Sequence, residues 1–265
     1  MTKKKTNSYV KIVLHMLLGA LFGGILGFSF YWFFGNKEKS IEATLAGVMS
    51  LGQSVMLPAL ILILIVTVII GEWTIRKLKQ IGDEILKAED EEADVWEYEE
   101  ERVGGVGLNV SNISQALSMI VLSIGYSSKY IESAASARHG FLISCIVFIV
   151  CFGYSGFWQT RFVKQTQKAH PEKQGDPTSR KFQQQWLESC DEAEREVIFQ
   201  SSYKTYTAMN KWIPSLLVVT MLCNLFFNTG ILATFIVAII WIVMTVTYTH
   251  SCVKMKGKKA GKIRE

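Results

Sequence analysis

Charge is what this sequence is short of. Only 19% of its 265 residues are Asp, Glu, Lys or Arg, where soluble domains average about 25%. Proline occurs four times and cysteine five times, which excludes a collagen-like chain and a disulfide-stapled scaffold. Disorder is excluded too, because 49% of the residues are hydrophobic and supply ample apolar surface to bury. Long stretches have no charge at all, and the apolar residues collect there.

A bilayer core of about 30 Å is crossed by about 20 apolar residues in helical geometry. Residues 10–34, 43–71, 140–158, 213–229 and 231–250 meet that requirement, the last two joined by a turn at Asn228-Thr229-Gly230. Residues 108–128 are uncharged but diluted by Ser111, Asn112, Ser114, Gln115, Ser118, Ser123 and Ser127. Charge parity decides that segment, since Lys and Arg of short loops stay inside. With 108–128 spanning, 24 of the 28 basic residues lie on the side of Lys3, Lys4 and Lys5, and only Lys37, Lys39, Lys129 and Arg138 lie opposite. Without it, the basic residues from Arg161 to Lys211 and from Lys254 to Arg264 fall outside. The expected fold is therefore all-α, a single polytopic membrane domain over 1–265. It has six transmembrane helices, both termini cytoplasmic, and two cytoplasmic helical loops, 72–107 and 159–212. Trp32, Trp73, Trp158 and Trp212 fall near span ends, as an aromatic belt requires. The first span is too long for a signal-peptide core and lacks a small-residue cleavage site.

The loop 72–107 carries an acidic run. Between Asp83 and Glu101 there are 11 acids against Lys87 alone, net −10 in a chain of +5. Divalent-cation binding or docking of a basic partner would use such a run. The glycine and ligand spacing of a helix-loop-helix calcium site are missing, and the expected form is a solvated helix end with a flexible acidic linker. Arg102-Val-Gly-Gly-Val-Gly107 reads as a hinge into the third span. In the second loop, prolines at 171 and 177 break the chain. Phe182, Trp186, Cys190, Ala193 and Val197 then recur on one helical face, opposite Glu188, Asp191, Glu192, Arg195 and Glu196. The spacing predicts a long amphipathic helix over 178–211, continuing toward the fifth span. Its acidic middle favours packing within the chain over lying on the membrane.

Trp73-Thr-Ile-Arg76-Lys-Leu-Lys79-Gln80 and Trp158-Gln-Thr-Arg161-Phe-Val-Lys164-Gln165 share a W-x-x-R-x-x-K-Q spacing. A duplicated hairpin would explain it; so would convergence, because any inward exit favours Trp and then basic residues. Gly19, Gly23 and Gly27 lie on one face of the first span, with His15 a turn earlier, and would let another helix or another copy approach closely.

No span has Asp, Glu, Lys or Arg in its middle, which argues against an ion-coupled transporter or pump. Gln53, Ser54, Gln115 and Asn224 are among the uncharged polar groups that remain, and Pro58 predicts a kink in the second span. Gly153-Tyr-Ser155-Gly156 with His250 resembles the serine motif and base of rhomboid intramembrane proteases. Ser155, however, sits at the wrong end of its helix, and the glycines that follow a rhomboid histidine are missing. The histidines are scattered without metal-ligand spacing. Cys145, Cys151, Cys190, Cys223 and Cys252 lie in spans or inside, which implies no exported disulfide. No catalytic, cofactor or metal residues are expected.

Trp186-Leu-Glu-Ser-Cys190-Asp191-Glu192-Ala193-Glu194, followed by Ile198-Phe-Gln-Ser-Ser-Tyr203-Lys, together with the Lys-rich start, six spans and acidic loop, resembles the bacterial membrane family called domain of unknown function 3169. The resemblance implies a plasma-membrane protein of Gram-positive bacteria and no particular activity. Trp186, Cys190, Asp191, Glu192 and Glu194 are candidate partner-binding residues. The expected function is that of a non-enzymatic accessory, immunity or regulatory protein acting through its cytoplasmic helices. The alternative is a small-molecule or lipid transporter working as an oligomer. The expected partners are the bilayer, a cytoplasmic or membrane protein and, for the glycine face, a second copy. No nucleic-acid partner is expected.

Overall fold

A computed structural model describes residues 38–125, 135–227 and 229–259, with ten scattered helical positions between 14 and 32. Among the described residues all regular structure is helical. We number the helices α1 (Glu38–Ile85), α2 (Asp90–Gly125), α3 (Ala135–Ala169), α4 (Phe182–Glu188), α5 (Glu192–Phe227) and α6 (Leu232–Lys259). Stretches within α1, α2, α3 and α6 are long and apolar enough to cross a membrane: Ser50–Ile85, Glu92–Ile124, Ser136–Ala169 and Leu232–Gly257. They contain or overlap the expected spans 43–71, 108–128, 140–158 and 231–250. The expected span 213–229 forms the end of α5 and is not among these four stretches of the described residues. The expected span 10–34 lies mostly outside the described residues.

The chain divides into two units, 36–190 and the remainder. In the first, α1, α2 and α3 pack as a bundle. The approaches of Gly52 to Ile124, Thr67 to Ser114 and Gly107 to Thr74 make α1 and α2 antiparallel. Those of Gly71 to Trp158 and Gly82 to Ala169 make α1 and α3 parallel. Two apolar clusters fill the bundle. One is Met56, Leu60 and Phe141, backed by Val121, Leu122, Cys145 and Val147. The other is Leu78, Ile81 and Val103, backed by Ile85, Trp96 and Phe162.

The serines that dilute 108–128 have a positional explanation. Ser111, Ser114 and Ser118 are spaced for one helical face and are buried, while Ile113, Leu117 and Ile120 of the same helix are exposed. Ser114 Oγ lies 2.7 Å from Thr67 Oγ1 on α1, and Ser144 of α3 is also fully buried. Small hydroxyl residues let helices approach closely and hydrogen-bond where lipid offers no partner. The polar residues therefore face protein and the aliphatic ones face outward.

Two expectations are corrected here. The acidic run is not a flexible linker: Asp83–Ile85 ends α1, residues 86–89 turn, and 90–101 form the first turns of α2. Acids in a first helical turn complement the unpaired N–H groups there, which explains why so acidic a segment is helical. The Gly104, Gly105 and Gly107 segment is not a hinge either, since α2 runs through it unbroken. α1 likewise continues through Pro58.

In the second unit, α5 and α6 form a hairpin whose connection places Gly230 at φ +83°, a backbone region glycine adopts without strain. Tyr206 and Tyr248 stack across it with ring centroids 4.0 Å apart.

Candidate functional site

The most structured polar part of the described chain is the charged end of the α1–α3 bundle. Gly71, Gly104 and Gly107 shape it. A Cβ on Gly107 would stand 2.4 Å from the Trp158 ring, one on Gly104 2.7 Å from Phe162, and one on Gly71 2.7 Å from the Tyr154 hydroxyl. The glycines are recesses into which α3 inserts its aromatic side chains. Trp158 is 1% exposed, stacks on Phe162 with centroids 5.6 Å apart and donates its indole N–H to Gly71 O at 2.8 Å.

One turn outward, Arg161 binds Glu72 with both guanidinium nitrogens, the longer contact being 3.1 Å. Tyr154 donates its hydroxyl to the same carboxylate at 3.1 Å. Such a bidentate pair fixes the axial register of the two parallel helices. The two W-x-x-R turns occupy different environments: Trp158 is buried and Arg161 paired, while Trp73 is 48% exposed and Arg76 is exposed. The shared spacing therefore does not correspond to shared packing.

Beyond α3 the chain folds back. His170 Nε2 lies 2.7 Å from Glu100 Oε2, with Glu172 Oε1 3.5 Å from Nδ1. The Glu100 carboxylate, against desolvation by burial, holds His170 above its ordinary range. Glu100 is 7% exposed, so one member of the acidic run points inward. Gln167 donates to Gly175 O at 2.8 Å, and the Gln174 N–H donates to Ser189 Oγ at 3.0 Å. Gly175, at φ +134°, seats the Phe182 ring, which in turn lies 5.5 Å from that of Trp186.

The predicted helix over 178–211 is interrupted at 189–191. The cause is a capping box. Asp191 Oδ1 accepts the Glu194 N–H at 2.8 Å, and Glu194 Oε2 accepts the Asp191 N–H at 3.0 Å. The predicted apolar face accordingly divides. Phe182, Trp186 and Cys190 turn inward, Cys190 being 5% exposed with its thiol on Trp186 O, while Ala193 and Val197 are exposed. Of the candidate partner residues, then, Trp186 and Cys190 belong to packing, Asp191 and Glu194 cap α5, and Glu192 is exposed in its first turn. Gly19 is exposed with open space around it; Gly23 and Gly27 lie outside the described residues.

Sequence reasoning did not anticipate a cleft of about 500 Å³ between α1 and α2, whose lining includes Trp73, Lys77, Asp83, Glu84, Trp96 and Arg102. Two tryptophans and charges of both signs on neighbouring helix ends were its only sequence signal. A second feature lies on the outward face of α2, where Val95 and Tyr98 are 63% and 67% exposed among Asp94, Glu97 and Glu101.

No curated protein and no solved structure is significantly similar to the chain. The model of the family described as "Protein of unknown function (DUF3169)" matches residues 6–251. That match covers nearly the whole chain, including α1–α6 almost to the end of α6, so the protein belongs to the DUF3169 family.

Proposed function

We propose that this is a six-span, non-enzymatic membrane protein with both termini in the bacterial cytoplasm, acting by presenting a rigid helical extension to a protein partner. The observation that carries this reading is the continuity of α1, α2 and α3. α1 has 48 residues, about 72 Å of helix, against a hydrocarbon core of about 30 Å. The surplus is packed against α2 and α3 and pinned to α3 by Glu72–Arg161, while Glu100–His170 ties α2 to the segment after α3. A rigid extension of this kind suits an accessory, immunity or regulatory role better than a flexible tether does. The face of Val95 and Tyr98 amid carboxylates fits a partner segment with basic and apolar side chains. Met56, Leu60, Ser118 and Ser144 fill the bundle interior, which weighs against a transport path through α1–α3.

The test is quantitative co-purification from native membranes in mild detergent. The reading predicts a protein retained by the wild type and by Ser155→Ala, and lost from the Val95→Ser/Tyr98→Ser double variant. An unchanged set of retained proteins would contradict it.

A further inference from the structure

We propose that the α1–α2 cleft binds the head group of a phospholipid carrying a phosphate followed by a terminal ammonium. The inference rests on the reading that α1 crosses the membrane. Trp73 stands at the cleft's membrane end, two residues after the uncharged stretch 43–71, where an indole marks the interface.

The charges then change sign with distance from the membrane. Lys77 lies five residues past Glu72, about 7 Å along the helix, within the depth of a head-group layer. Arg102 joins it from α2, because Val103 packs against Leu78 and Ile81. These two cations bracket the level of the lipid phosphate. Asp83 and Glu84 lie further out, and helical side chains lean toward the helix N-terminus, here back toward the membrane. Trp96 of α2 also lines the cleft, and an indole ring attracts a cation over its face.

Apart from Lys87 and Glu99, which also line the cleft and are paired with Glu84 and Arg102, aromatic, positive, negative, aromatic is the order that an interface-anchored lipid with a phosphate and then an ammonium would meet. A lipid with an uncharged terminal group would satisfy the cations and offer nothing to Asp83, or to Glu84 beyond its existing contact with Lys87. Arg102 and Lys87 are held by Glu99 and Glu84 in i,i+3 pairs, exposed pairs weak enough to exchange for a ligand. Lys77 makes no ion pair among the described residues.

The experiment is native mass spectrometry of the delipidated full chain with phosphatidylethanolamine or phosphatidylglycerol added. The expected result is phosphatidylethanolamine retained about tenfold more strongly, the scale of one ammonium contact with carboxylates and an aromatic ring. Lys77→Ala/Arg102→Ala is expected to weaken both lipids, and Asp83→Asn/Glu84→Gln to remove the preference while leaving phosphatidylglycerol unchanged. Equal retention of the two lipids by the wild type, or variants that behave like it, would overturn the proposal. Soluble phosphoethanolamine binding as well as the lipid would overturn the anchored-lipid reading. Recovery of the chain outside the membrane fraction would instead mark failure of the spanning reading.

Discussion

The indole N–H of Trp158 reaches the carbonyl oxygen of Gly71 at 2.8 Å because Gly71 and Gly107 leave no side chain in its way. α1 and α2 thus present backbone to the largest side chain of α3. Gly107→Ala places a methyl 2.4 Å from the ring, and overpacking of this kind costs about 1–3 kcal/mol. Gly105→Ala meets nothing within 4 Å and should gain up to about 1 kcal/mol of helix propensity. Thermal unfolding in detergent should move in opposite directions for the two variants.

Glu72 and Arg161 are each about one-third exposed, at 33%. Solvent screening limits the pair, so Glu72→Gln is expected to cost about 1 kcal/mol. Arg161→Lys should cost as much, because an ammonium cannot reproduce the two-nitrogen contact. A double-mutant cycle in a denaturant series should give a coupling energy of the same size. Additivity would show the pair to be incidental.

The His170–Glu100 contact carries a pH dependence. Its folded-state histidine pKa is raised, chiefly by the hydrogen bond to Glu100, with Glu172 and Glu97 adding to it and burial opposing it. A raised pKa means that the stabilisation is fully present below the ordinary histidine value of about 6.5 and is lost as pH rises through the folded value. Amide exchange of residues 171–181 should accelerate beyond its intrinsic increase across that window. In His170→Gln the extra acceleration should disappear.

Asp191 and Glu194 cap α5 reciprocally. Asp191→Ala should cost about 1 kcal/mol. Glu194→Ala should cost less, and the two together less than their sum, since each removes one half of a single box. Helicity of residues 192–200, followed by amide exchange, reads this directly.

How far these features could be read in the sequence depended on range. The four described stretches long and apolar enough to cross a membrane were legible because lipid imposes a run of apolar residues that no tertiary contact replaces. The weak 108–128 segment was legible through charge parity, and its serines made sense once Ser111, Ser114 and Ser118 were seen turned into the bundle. The glycines of 104–107 have the local pattern of a hinge, because nothing local reveals that Trp158 and Phe162, distant in sequence, fill them. The acidic run has the local pattern of a flexible linker for a similar reason. The partly buried His170, partner of its Glu100, comes just after the far end of another helix. The break at 189–191 was locally encoded, Asp191 and Glu194 having the spacing of a cap, but the apolar periodicity from Phe182 to Val197 masked it.

The central claim is that the acidic α2 face is a protein-binding surface on a rigid extension of the bundle. Photo-crosslinking from an unnatural amino acid at Tyr98 in intact membranes tests it most directly, with Ile120 as the outward-facing control within the apolar stretch. The account predicts one discrete protein adduct from position 98, weakened by Val95→Ser, and none from position 120. Absence of any protein adduct from position 98, or identical adducts from both positions, would contradict it.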